Sequence, residues 1–147
     1  MMNITAITIS TTIDTTLEAA WKFYNEPEHI VQWNFASEDW ICPSASVDLQ
    51  PGGEYKVRME SKDGNMGFDL EAIYSDVSAP EQVSYVMTDG RKVNTHFSES
   101  EAGVIVTTIF DPENTHDHET QRAGWQAILD NFKKYAELQM ETPPDFE

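Results

Sequence analysis

Apolar and polar positions alternate with a period of two over most of this chain and switch to helical spacing near each end. Ile7, Ile9 and Ile13 share one parity, while Thr8, Ser10 and Thr12 share the other. This is the pattern of a half-buried strand. Thr15-Thr16-Leu17-Glu18 reads as a capping box, in which a hydroxyl and a carboxylate satisfy the first free amides of a helix. Leu17, Ala20, Trp21 and Tyr24 then recur at helical spacing. Pro27 suits the first turn of a second short helix, where its missing N–H is no loss. That helix carries Ile30 and Val31 and ends near Trp33. From Asn34 to Ser46 the residues Phe35, Trp40 and Ile41 fall in no clean period, which predicts a loop with inward-packed aromatics.

From Val47 the period of two returns. Val47 and Leu49 run into the turn Pro51-Gly52-Gly53, and Tyr55, Val57 and Met59 alternate with Lys56, Arg58 and Glu60. Lys62-Asp63-Gly64-Asn65 is a hairpin turn, with a glycine available for positive φ. Phe68, Leu70 and Ala72 follow, then Val83, Tyr85 and Met87, then Val93, Thr95 and Phe97. Turn signals at Pro80-Glu81, Asp89-Gly90 and Glu101-Ala102-Gly103 separate these runs, and the last run is Val104 to Phe110. Six strands in succession, joined by short turns, predict an antiparallel meander.

After Asp111-Pro112 the spacing becomes helical again, from about Asp117 to Gln139, with Trp125, Leu129, Phe132 and Ala136 on one stripe. Roughly 23 residues at about 1.5 Å each make a rod about 35 Å long. Such a rod spans six or seven strands spaced about 4.8 Å apart. The fold class is therefore α+β: a curved antiparallel sheet of about seven strands, two short helices after the first strand, and a long C-terminal helix across the sheet. A straight helix on a curled sheet leaves space beneath it. Gly124, which costs about 1 kcal/mol inside a helix relative to Ala, reads as a close-packing point against a strand with Trp125 in the core; the alternative makes Trp125 a pocket wall. Residues 1–140 are expected to form a single domain and residues 141–147 an acidic, fraying tail.

Composition narrows the function classes. The chain has 147 residues, which suits one domain. Nine Lys plus Arg stand against 26 Asp plus Glu, a net charge of −17. A phosphate backbone would be repelled, so nucleic acid is not an expected partner. Insertion into a membrane is not expected either, since no run approaches about 20 apolar residues. Cys42 is the single cysteine and reads as a buried structural thiol in a reducing compartment. The first residues lack the basic start and apolar run of a signal peptide, and a cytoplasmic location is expected.

Candidate chemistry is sparse, and no catalytic residue, metal ligand or cofactor is predicted. His116-Asp117-His118-Glu119 looks like a metal cluster, but its histidines stand two apart rather than three or four. It reads as a capped helix start. His96 is expected to face outward and His29 to lie on the surface. No Gly-x-Ser-x-Gly elbow is present. Tyr55 and Tyr85 read as core aromatics with locally satisfied hydroxyls, and Arg58 faces inward only if its strand is bulged.

One ordered set of segments resembles a known family. It comprises Pro27-Glu28-His29-Ile30 leading to Gln32-Trp33, Asp48-Leu49-Gln50-Pro51-Gly52-Gly53-Glu54-Tyr55, and Lys62-Asp63-Gly64. Ala79-Pro80-Glu81-Gln82-Val83 and Gly124-Trp125 with Leu129 complete it. From about Ile7 to Ala136 the chain resembles the SRPBCC (START-like) superfamily. Within it, the chain is most similar to homologues of the C-terminal domain of the activator of heat-shock-protein-90 ATPase, of the bacterial single-domain type. The resemblance implies a helix-grip fold with a cavity between sheet and long helix. Superfamily relatives include lipid and hormone carriers, polyketide cyclases and self-sacrificing antibiotic-resistance proteins.

The leading expectation is a binding module for a small apolar, lipid- or polyketide-like ligand. Its candidate lining is Trp33, Phe35, Trp40, Tyr55, Met59 and Phe68, with Tyr85, Met87, Phe97, Trp125 and Leu129. Pockets of this kind are apolar with few polar anchors. Two alternatives use the same fold: a co-chaperone-like module whose acidic surface meets an unidentified protein partner, or a cyclase-type enzyme.

Overall fold

A computed structural model describes residues 5–141. In chain order the elements are β1 (Ile7–Ile13), α1 (Leu17–Asn25), α2 (Pro27–Ile30), β2 (Trp40–Val47), β3 (Glu54–Ser61) and β4 (Gly67–Ser78). They continue with β5 (Gln82–Met87), β6 (Lys92–Ser100), β7 (Gly103–Phe110) and α3 (His118–Glu141). The strands form one seven-stranded curled sheet in the order β1-β7-β6-β5-β4-β3-β2. Every pairing is antiparallel. The long helix and the two short ones complete the α+β, helix-grip arrangement. Of residues 141–147, where the fraying tail was expected, Glu141 ends α3 and 142–147 lie outside the described residues.

The period-two reading places the strand faces correctly. Ile7, Ile9 and Ile13 are buried, as are Val93, Thr95 and Phe97 in β6 and Val104, Val106, Thr108 and Phe110 in β7. His96 faces outward. The β3–β4 hairpin turns through Gly64 at φ 79°, a conformation that side chains with a Cβ rarely adopt. β3 runs beside β4 without a register shift, from Glu54↔Ile73 to Glu60↔Gly67. Arg58 therefore stays on the outer face, where it pairs with Glu60 and Asp69.

Three local expectations are corrected. Asn34 to Ser46 is not all loop, because β2 begins at Trp40. β2 is an edge strand with a register shift between Ile41 and Ser44 and a proline at position 43; the shift removes the regular alternation, and only an edge tolerates the proline. The cap of α1 is Thr16, whose hydroxyl accepts from the Ala19 amide at 3.2 Å, one residue beyond the capping-box position. His29 is half-buried rather than superficial, with Nδ1 2.6 Å from the Tyr135 hydroxyl and its ring edge-on to Phe23.

α3 is fastened lengthwise along β1. As an edge strand, β1 presents carbonyls that the sheet does not use. Arg122 donates to the Thr8 carbonyl at 2.7 Å, Gln126 to Ser10 at 3.3 Å and Lys133 to Thr12 at 2.6 Å. Burial along the helix is uneven. Leu129, Phe132 and Ala136 are buried in the core, whereas Gly124 to Ile128 are only half-buried. The second half of the helix packs, and the first half stands over a gap.

Candidate functional site

That gap is a cavity of about 340 Å³ between the concave sheet face and the first half of α3. Alternation in the strands aims Tyr55 and Met59 of β3, Phe68 and Leu70 of β4, and Tyr85 and Met87 of β5 into it. Trp33 reaches it from the segment after α2, and Trp125, Ile128 and Leu129 close it from the helix. Gly124 keeps it open, since a Cβ built there would meet nothing within 4 Å. The close-packing reading of Gly124 is thereby overturned.

The walls are rigid aromatic pairs. Tyr55 and Tyr85 stack with centroids 4.9 Å apart and planes at 16°. Tyr24 stacks on Trp33 at 5.4 Å. Trp125 lies flat on Phe110 at 4.0 Å and 10°, so the β7 core fixes this wall. Stacked pairs of this kind contribute about 0.5–1.5 kcal/mol beyond the area they bury.

Three predicted lining residues sit elsewhere. Phe35 and Trp40 line a second chamber of about 150 Å³, which shares Ala36, Met59, Phe68 and Ile128 with the first. The shared residues make the two spaces contiguous, and Trp40 approaches Phe68 at 6.1 Å. Phe97 does not reach the main cavity. It is buried beneath α1, edge-on to Trp21 and to Tyr24, each at 5.4 Å, because its inward position lies under that helix.

Beyond Tyr55 and Tyr85, the polar lining was not anticipated. Tyr24 Oη lies 3.2 Å from Thr95 Oγ1, which lies 2.9 Å from Thr108 Oγ1. Both Tyr24 and Thr108 line the cavity. Burial raises the Tyr24 hydroxyl above its ordinary range, although the Thr95 and Thr108 hydroxyls pull the other way. Burial likewise pushes Tyr55 and Tyr85 well up, so all three stay protonated near neutrality. Neither the Tyr55 nor the Tyr85 hydroxyl has a hydrogen-bond partner among the described residues, contrary to the expectation of local satisfaction. Arg91, Glu113 and Gln121 also line the cavity. Gln121, 7% exposed, knits the segment before α3 together by accepting from the Glu113 amide and donating to the Glu113 and His116 carbonyls. Asp117 caps α3 through the Thr120 amide at 2.7 Å, as the helix-start reading requires.

Other reactive groups are accounted for structurally. Cys42 is buried, its Sγ 3.5 Å from the Ser44 carbonyl, and burial raises its pKa. Glu26, Glu28 and His29 bring donor atoms within 4.8 Å of one another. They do not line the cavity, and acidic residues at a helix start are favoured by its dipole.

The family model for the activator of Hsp90 ATPase homolog 1-like protein matches residues 14–137. The chain belongs to the AHSA1-like family. It is 40% identical to an AHSA1-like protein from Aeromonas hydrophila, whose solution structure superposes with a TM-score of 0.88 over 97% of this chain and 99% of that one. A protein from Cytophaga hutchinsonii is 39% identical, with a TM-score of 0.78 over 97% and 99% of the two chains. A Nitrosomonas europaea protein at 16% identity and TM-score 0.77, over 94% and 97%, shares the fold. No curated protein matches the chain. The matched span includes every residue that lines the cavity except Ile9 of β1, and among the described residues no helix is long and apolar enough to cross a membrane.

Proposed function

We propose that this AHSA1-like domain is a binding module that holds a small, largely apolar ligand between its sheet and α3. The observation that carries the reading is the aromatic cavity of about 340 Å³ beside a glycine whose missing side chain leaves it open. A cavity of this size falls within the range used for small molecules. Its tyrosines are held protonated by burial, and its one carboxylate is held ionised by the surrounding loop. Protonated tyrosine hydroxyls can hold and orient a molecule by hydrogen bonds. A reducing, cytoplasmic setting suits the buried thiol of Cys42.

The test uses Gly124→Leu. The new side chain enters the cavity from a helix position where leucine is favoured over glycine, so binding and folding separate. The neutral fluorophore N-phenylnaphthylamine is expected to bind the native protein and to lose at least about tenfold in affinity in the variant, a change of about 1.4 kcal/mol. The melting temperature should hold or rise. Equal binding by both proteins, or none by the native protein, would defeat the proposal.

A further inference from the structure

The cavity lining carries two charged residues, Arg91 and Glu113. Arg91 follows the Asp89-Gly90 turn between β5 and β6 and lines the cavity, as do Gln121 and Glu113. Its Nε donates to Asp89 Oδ2 at 2.8 Å, and its backbone amide donates to Asp89 Oδ1 at 3.1 Å. The guanidinium is thus held by one edge, and neither Nη has a hydrogen-bond partner among the described residues. The other charged group of the lining is engaged within its own loop. Glu113 Oε1 accepts from the Thr115 and His116 amides, and Oε2 meets His116 Nδ1. The contiguous second chamber, lined by Phe35, Trp40 and Ile128, is apolar.

We propose that the ligand is amphipathic and anionic: an apolar body fills the aromatic cavity, and a carboxylate-like group is taken by the two open Nη donors of Arg91. A fork of two parallel N–H donors matches the two oxygens of such a group. The unpartnered hydroxyl of Tyr85 lies on the same lining. Selectivity has to be local, because a net charge of −17 repels anions from the surface at large. The inference rests on the binding reading above and names the chemistry of its ligand.

Two probes with the same aromatic body separate the two claims. Anilinonaphthalene sulfonate carries an anion, and N-phenylnaphthylamine is its uncharged counterpart. The native protein should prefer the sulfonate. Arg91→Gln should weaken the sulfonate by about tenfold or more, the scale of a lost charge-assisted pair, and leave the neutral probe within about twofold. Gly124→Leu should block both. Equal loss of both probes in Arg91→Gln, or an unchanged sulfonate affinity, overturns the anionic class while the neutral probe still supports the cavity. Sulfonate binding that survives Gly124→Leu places it outside the cavity and also overturns the proposal. If neither probe binds the native protein, both readings fall.

Discussion

Two glycines show how differently one residue type is used. A Cβ at Gly53 would lie 2.0 Å from the Asp48 carbonyl oxygen, a backbone atom that cannot swing aside. A Cβ at Gly124 would meet open space. Gly53→Ala should therefore cost about 1–3 kcal/mol, as overpacking does. Gly124→Ala should stabilise by up to about 1 kcal/mol, because it removes the helix penalty without a clash. Urea denaturation of the two variants checks the opposite signs, and a destabilised Gly124→Ala would mean that the helix depends on close approach there. The hydroxyl chain Tyr24–Thr95–Thr108 is also settled at this scale. Thr95→Val removes the hydroxyl that links Tyr24 to Thr108, and should cost about 1–3 kcal/mol by the same measurement.

At the scale of elements, α3 does two jobs with two faces. Its apolar stripe packs the core, while Arg122, Gln126 and Lys133 take the free carbonyls of β1. Replacing all three by alanine should lower stability by about 1–3 kcal/mol, since exposed bonds of this kind contribute modestly. It should also expose a sheet edge to other copies. Concentration-dependent sedimentation would reveal that association, and a variant that stays monomeric at all concentrations would show that other features protect the edge. Hydrophobic periodicity made most of these elements legible beforehand. β1, β3, β6 and β7 announce themselves by alternation, and α3 by its stripe. β2 did not, because Pro43 and the shift between Ile41 and Ser44 break the alternation. The site divides along the same line. Tyr55, Met59, Tyr85 and Met87 were readable from strand parity. Arg91, Glu113 and Gln121 were not, because they stand in turns and at a helix start where no period assigns a direction. Phe97 was assigned to the cavity because parity identifies a face without saying what covers it.

For the whole molecule, the acidic surface and the fold meet in the pH response. The carboxylates of Asp63, Asp89, Glu113, Asp117 and Glu137 are all lowered, chiefly by hydrogen bonds from neighbouring side chains and amides. Glu113 goes furthest, from 4.5 to about 2, with His116 as the leading cause. A group whose folded pKa is depressed adds stability above its unfolded value and loses it as pH falls through the folded one. Their contribution should therefore be flat from pH 7 to about 5 and decline below the ordinary carboxylate values of 3.8 and 4.5. Solvent screening softens each contribution, because these groups are exposed or nearly so. The net charge of −17 acts in the other direction at neutral pH, where self-repulsion strains the folded state. Raising ionic strength from about 0.01 to 0.1 M shortens the Debye length from about 30 to 10 Å and should raise the urea midpoint at pH 7. Because Glu113 and Gln121 line the cavity, acid should loosen the site before it unfolds the sheet. N-phenylnaphthylamine, whose own charge does not change with Glu113, should be released at a higher pH than the one that abolishes the far-ultraviolet signal. Coincident loss of probe and secondary structure would mean that this part of the lining has no separate stability, and that the Glu113 loop is held by the whole fold.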